Sequence, residues 1–177
     1  MIETAIHTIQ QELNTQLKTA FQLAEDILIV RSPLQDLEKH KLILSLVKIE
    51  EDSSLKSTSL NPSKSLQQAP ISINLYLLFA ASIELSNSEK AYKYLSEVVR
   101  FFHNKPLFNP QNSPNLGNGA LEKISMELVN QSFEEQSQMW SMLGSPYLPS
   151  LVYRVRILSL GSDSIQTEIP SISGLES

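Results

Sequence analysis

Cysteine is absent from this chain of 177 residues, which excludes disulfides, thiol nucleophiles and cysteine-based zinc sites together. That absence fits a cytoplasmic protein. Glycine is scarce, with five in the whole chain, and the sequence contains no G-x-S-x-G elbow, P-loop or G-x-G-x-x-G. Gly117 and Gly119 lie close together among Pro and Asn and match no phosphate-cradling pattern. Basic residues are outnumbered 14 to 19, and the net charge of −5 argues against nonspecific binding to nucleic acid. No apolar run approaches the ~18 residues of a membrane-spanning helix. The opening MIETAIHTIQ carries Glu3 and no basic stretch, unlike a secretory signal. The three histidines, His7, His40 and His103, fall on or beside three separate elements without ligand-like spacing, so no metal or other cofactor is expected.

What is present is an ordinary globular balance, 41% hydrophobic and 19% charged, with length for one domain. Residues 2–21 carry Ile2, Ala5, Ile6, Ile9, Leu13, Leu17 and Ala20 at helical spacing, with Gln10, Gln11, Asn14 and Lys18 on the other side. Few of its residues are basic, so membrane adsorption is poorly supported. Strands are predicted over 27–30, 41–49 and 71–81, the last two almost continuously apolar, as in strands covered on both faces. Residues 34–40 read as a loop or a single helical turn. The Ser-rich segment 50–69 reads as a long exposed arm. Ser86 and Glu89 form a capping box opening a helix through His103, with Ala91, Leu95, Val98, Val99 and Phe102 buried and Tyr92, Tyr94 and Phe101 widening the stripe. Residues 107–118 read as a second loop, and 161–177 as a flexible tail.

The stretch 121–160 is the best punctuated. Ile124, Met126 and Leu128 alternate with polar residues as a strand, and Ser132 with Glu135 makes a capping box. Phe133, Gln136, Met139, Trp140 and Leu143 then place Trp140 inward, in the core or as an anchor at a subunit contact. Gly144 suits a left-handed helix end, and Pro146 and Pro149 forbid continuation. A last strand from Leu151 puts Arg154 and Arg156 on one face. The result is an α/β (α+β) single domain, with a mixed or mostly antiparallel sheet flanked by helices. No catalytic constellation can be assembled, so no enzyme is expected. The candidate site residues are interface groups. Glu50, Glu51 and Asp52, at a strand end, suit either a solvated terminus or pairing with a cation or a basic neighbour. Arg154 and Arg156 suit acids across a sheet or a subunit contact. A non-catalytic adaptor or ligand-binding domain is the alternative class.

Several segments together resemble one family. They are Met1-Ile2-Glu3 with its helix, Leu46-Val47-Lys48-Ile49-Glu50-Glu51, Asn74 through Ala81, Tyr92 and Leu95 before Phe101-Phe102, and Leu121-Glu122-Lys123-Ile124. The longest runs from Trp140 to Leu158 and includes Leu143-Gly144, Tyr147-Leu148-Pro149-Ser150 and Tyr153-Arg154-Val155-Arg156. Over residues 1–160 the chain is similar to the tube-terminator or cap proteins of extracellular contractile injection systems, which are phage-tail-like particles. His103 departs from the family, in which Gln usually follows the paired Phe. The arm 53–69 and the tail 161–177 also lie outside the resemblance. The resemblance implies a tail-terminator-like domain that forms a homo-hexameric ring at the baseplate-distal end, assembled in the bacterial cytoplasm. Its partners would be the inner-tube protein and the sheath protein, with no nucleic acid and no membrane insertion.

Overall fold

The computed structural model describes residues 1–31, 41–52, 71–82, 88–116 and 121–159. The expected arm 53–69, the loop or turn 34–40, the cap residue Ser86 and the tail 161–177 lie outside them. In chain order the elements are α1 (Ile2–Phe21), β1 (Leu28–Val30), β2 (Lys41–Glu51), β3 (Ile71–Ser82), α2 (Ser88–Asn104), β4 (Leu107–Phe108), β5 (Lys123–Leu128), α3 (Phe133–Leu143) and β6 (Ser150–Ser159). Six strands form one mixed sheet in the order β1-β2-β3-β6-β5-β4, with β1 parallel to β2 and the other pairs antiparallel.

Side-chain alternation along the central strands builds two unequal cores. Leu75, Leu77 and Phe79 of β3 point into a large core with Leu42, Leu44, Tyr153, Val155 and Ile157, covered by α1 and α2. There Phe79, Phe102 and Tyr153 meet at centroid distances of 4.8–5.7 Å, tilted or edge to face, the favoured aromatic geometry. Leu78 and Ala80, alternating with them, point to the opposite face. There they pack with Ile43 and Val152 beneath Met139 and Trp140 of α3. This two-sided burial is why β3 is apolar at almost every position.

α1 presents Ala5, Ile9, Leu13 and Leu17 as a fully buried line, the stripe its periodicity predicts, while Ala20 is exposed. Asn14, expected on the polar side, is buried. Its Oδ1 accepts from the backbone N–H groups of Ile27 (3.1 Å) and Leu28 (2.9 Å), and its Nδ2 donates to the Leu28 carbonyl at 2.9 Å. Gln10 Nε2 donates to the same carbonyl at 3.1 Å. A helix side chain thus satisfies the backbone entering β1, an edge strand of three residues.

Three further expectations are corrected. Residues 107–116 are not a plain polar loop: they form β4 and a 3-10 turn over Pro114–Leu116, and Phe108 and Leu116 are buried. In α2, Tyr94 lies in the buried stripe with Ala91, Leu95, Val98 and Phe102, whereas Tyr92 and Val99 fall on its flanks and are exposed. Phe133, at the first position of α3, is not inward-facing but 93% exposed, because the helix meets the sheet only at its second half.

Candidate functional site

α3 covers only part of its sheet face, and the remainder is polar by construction. On β2, Leu42, Leu44 and Leu46 point to the large core, and simple alternation would send Lys48 and Glu50 after them. A β-bulge intervenes: Leu46 pairs with Leu77 but Lys48 pairs with Tyr76, so Val47 is an extra residue and the alternation reverses. Lys48, Glu50 and Asp52 therefore come to the α3 side.

Three rows result, each crossing β2, β3, β6 and β5 in register. They are Lys48–Tyr76–Arg154–Glu127, Glu50–Asn74–Arg156–Ser125, and Asp52–Ser72–Leu158–Lys123. Leu158 is the one apolar member of this grid. In the first row Lys48 pairs with Glu50, the Tyr76 hydroxyl donates to Glu50 Oε2 at 2.9 Å, and Arg154 Nη2 pairs with Glu127 Oε2 at 2.5 Å. In the third, Asp52 is buried, accepts from Ser72 Oγ at 2.9 Å and holds Arg156 Nε at 3.0 Å. Asn74 lies between these systems. Its neighbour Glu50 engages the first row and its neighbour Arg156 the third, leaving the buried Asn74 Oδ1 without a hydrogen-bond donor among the described residues.

The electrostatics are those of a structured charged surface. The hydrogen bond from Lys48, then that from Tyr76, lowers the Glu50 carboxyl below its usual range. Glu50 in turn raises the Tyr76 hydroxyl and the Lys48 ammonium, and Glu127 strengthens the protonated form of Arg154. Each of these shifts moves a group away from neutral pH, whereas acid–base catalysis needs groups poised near it. Beside the first row, Tyr76, Glu127, Leu128, Val129, Asn130 and Arg154 line an open depression of about 190 Å³. Ligand pockets usually measure roughly 300–1,000 Å³.

Of the five residues singled out from sequence, the structure brings Glu50, Asp52, Arg154 and Arg156 onto this one face. Glu51 is exposed but alternates to the other side, opposite Ile73. Both arginines have acidic partners within the chain. Lys48, Tyr76 and Glu127 were missed. The change from apolar residues at 42, 44 and 46 to an apolar Ile49 between Lys48 and Glu50 is the signal that would have revealed the bulge. His7 and His103 are exposed, His40 lies outside the described residues, and no group of three or more His, Asp or Glu able to hold a metal occurs among the described residues. No described helix is long and apolar enough to cross a membrane.

Deleting Val47 removes the extra residue, so Lys48 then follows Leu46 directly and stays opposite Tyr76 on the α3 side. Glu50→Gln instead removes the carboxylate that holds both Lys48 and the Tyr76 hydroxyl. The specific reporter is Tyr76: without Glu50 its ionisation in a spectrophotometric titration should occur at lower pH than in the parent. Val47→Ala, which keeps the register, should leave it unchanged.

Residues 4–174 match the Pvc16 N-terminal domain family. No curated protein matches the chain. Among solved structures, the chain resembles the anti-feeding prophage cap, described as a tube-terminating cap, with 17% identity and a TM-score of 0.53 over 93% of this chain and 58% of that one. It also resembles the PVC sheath/tube terminator of an extracellular contractile injection system in its extended state, with 18% identity and a TM-score of 0.47 over 93% of this chain and 62% of that one. The chain thus spans less than two thirds of the length of either.

Proposed function

Since the chain belongs to the Pvc16 N-terminal domain family, we propose that it terminates and caps the tube of a contractile injection particle. The family match over residues 4–174 carries this reading. The fold shared with the anti-feeding prophage cap supports it, as does a surface organised as ion pairs rather than as a reaction pocket. In this reading the protein is a structural component and not an enzyme. Six copies close a ring at the baseplate-distal end, where the inner tube stops and the sheath is anchored. Closure requires heterologous contacts, in which one patch meets a different patch on the neighbour.

The polar grid, with Glu50, Arg154 and Arg156, is the face assigned to tube or sheath partners, and Glu51 extends the strand end beside it. Charge patterns of this kind set register and exclude wrong partners more than they add affinity. Replacing both arginines by Glu would also set like charges against Glu127 and Asp52 within the chain, so the cleaner test is a reversal of one internal pair. Glu127→Arg with Arg154→Glu keeps the ion pair while inverting what the face presents. The variant should fold and melt like the parent, and particles assembled with it from the complete gene cluster should show tubes of irregular length or sheaths that do not stay extended. Normal particles would remove this face from the contacts. Normal capped particles from a complete gene deletion would sink the terminator reading itself.

A further inference from the structure

We propose that the outer edge of β2, from Leu46 to Ile49, receives an extended segment of another protein of the particle as an added strand. This inference rests on the ring reading above and names the kind of partner that meets this side of the sheet. β1 covers β2 only from Leu42 to Leu44. The Leu42 N–H donates to the Ile27 carbonyl and the Leu44 carbonyl accepts from the Arg31 N–H, so both residues turn their backbone groups outward. Alternation turns Leu46 the same way. Past the bulge, the Asp52 N–H donates inward to the Ser72 carbonyl at 3.0 Å, which places Ile49 on the outer side again. No described residue pairs with the backbone of Leu46 or Ile49 on that side. Unmet N–H and C=O groups in a row are matched by another extended backbone, whose main-chain bonds supply affinity and whose alternate side chains supply specificity.

The side chains along the edge define what such a strand carries. On the α1 side stand Val30 (43% exposed), the half-buried Leu46 and Ile49 (52% exposed), an apolar border to the large core. On the α3 side stand Lys48 and Glu50, the first members of two polar rows. The added strand therefore alternates apolar and polar residues, and its polar face continues the grid already assigned to partners. A second copy has no matching edge in its own described sheet. The opposite edge, β4, is two residues long, and the outward side of β5 from Ile124 to Met126 is taken up by Phe108, Leu107 and Pro106. Pairing β2 with β2 would be twofold and would close as a dimer rather than a ring. The bulge at Val47 and the exposed Lys48 oppose pairing with an arbitrary flat strand, which makes the edge selective.

The test is hydrogen exchange resolved to single amides, on the isolated full chain and on particles assembled from the complete gene cluster. In the isolated chain the Leu46 and Ile49 amides should exchange fast, while that of Asp52, bonded to Ser72, is protected. In the particle both should slow by about tenfold or more, as amides do when they open only with the structure around them. Ile49→Pro removes an outward N–H and leaves the β2–β3 ladder its bonds, a position where an edge strand tolerates proline. Particles carrying it should lose the protection at Leu46, whereas Ile49→Thr, which keeps the N–H, should retain it. Fast exchange of both amides in capped particles would overturn the added strand and leave the terminator reading standing. Protection already present in the isolated chain, whether constant or growing with concentration, would show the edge closed by this chain or a second copy and would overturn it equally. Particles that contain no copy of this chain would instead sink the terminator reading.

Discussion

Replacing Asn14 by Ala is expected to lower stability by about 2–6 kcal/mol, because it leaves two buried backbone donors without acceptors at roughly 1–3 kcal/mol each. Those donors are the N–H groups of Ile27 and Leu28, and the Leu28 carbonyl keeps only its bond from Gln10. Urea unfolding followed by circular dichroism should show the midpoint falling with the slope unchanged. Asn14→Leu sharpens the result. Leucine fills a comparable space and is apolar, so a site needing only packing would accept it. Here it should be as damaging as alanine, since it also lacks an acceptor. A well-tolerated Asn14→Leu would show that the edge strand β1 does not depend on this carboxamide.

Trp140→Ala is expected to cost about 3–5 kcal/mol, the range for truncating a buried large aromatic. Trp140 is 4% exposed and fills the smaller core over Ile43, Leu78, Ala80 and Val152, with Tyr147 edge-on at 5.8 Å. That core has few other large side chains, so the void cannot readily be filled. The indole Nε1 is buried without a hydrogen-bond partner among the described residues, which gives a second expectation. Trp140→Phe removes that group while keeping an aromatic ring, and its loss should be below about 1.5 kcal/mol. Thermal melts of both variants measure this directly. A stable Trp140→Ala monomer that merely fails to assemble would make Trp140 an interface residue instead.

The elements themselves were legible because each carries its own local signal. α1 was readable from its apolar spacing, and its bounds agree with the sequence reading. The capping box at Ser132 and the left-handed Gly144, with φ of 62°, were likewise written in adjacent residues. What escaped was whatever depended on a distant partner. Asn14 looks like surface until β1 arrives to use it. Glu127 looks like ordinary alternation until β6 sets Arg154 opposite. Phe108 and Leu116 sit in a Pro- and Asn-rich stretch whose order comes from burial against the main core rather than from periodicity. Among the candidate residues, the shared face of Arg154 and Arg156 followed from a period of two. Which of Glu50 and Glu51 shares that face was decided by the bulge at Val47.

The position of β6 has a consequence for how the chain is made. It is the last described strand, yet it lies between β3 and β5 at the centre of the sheet and pairs along its length with β3, which begins 79 residues before it (150 − 71). During synthesis from the N-terminus, β3 therefore emerges with one long apolar edge that no earlier segment of the sheet can cover. Contacts so distant in sequence form late and slowly. An unpaired edge of this kind is a template for association with other chains. A nascent chain ending before Ser150 should accordingly be held by chaperones or aggregate, and release of the last strand is the event that turns an association-prone intermediate into a closed sheet.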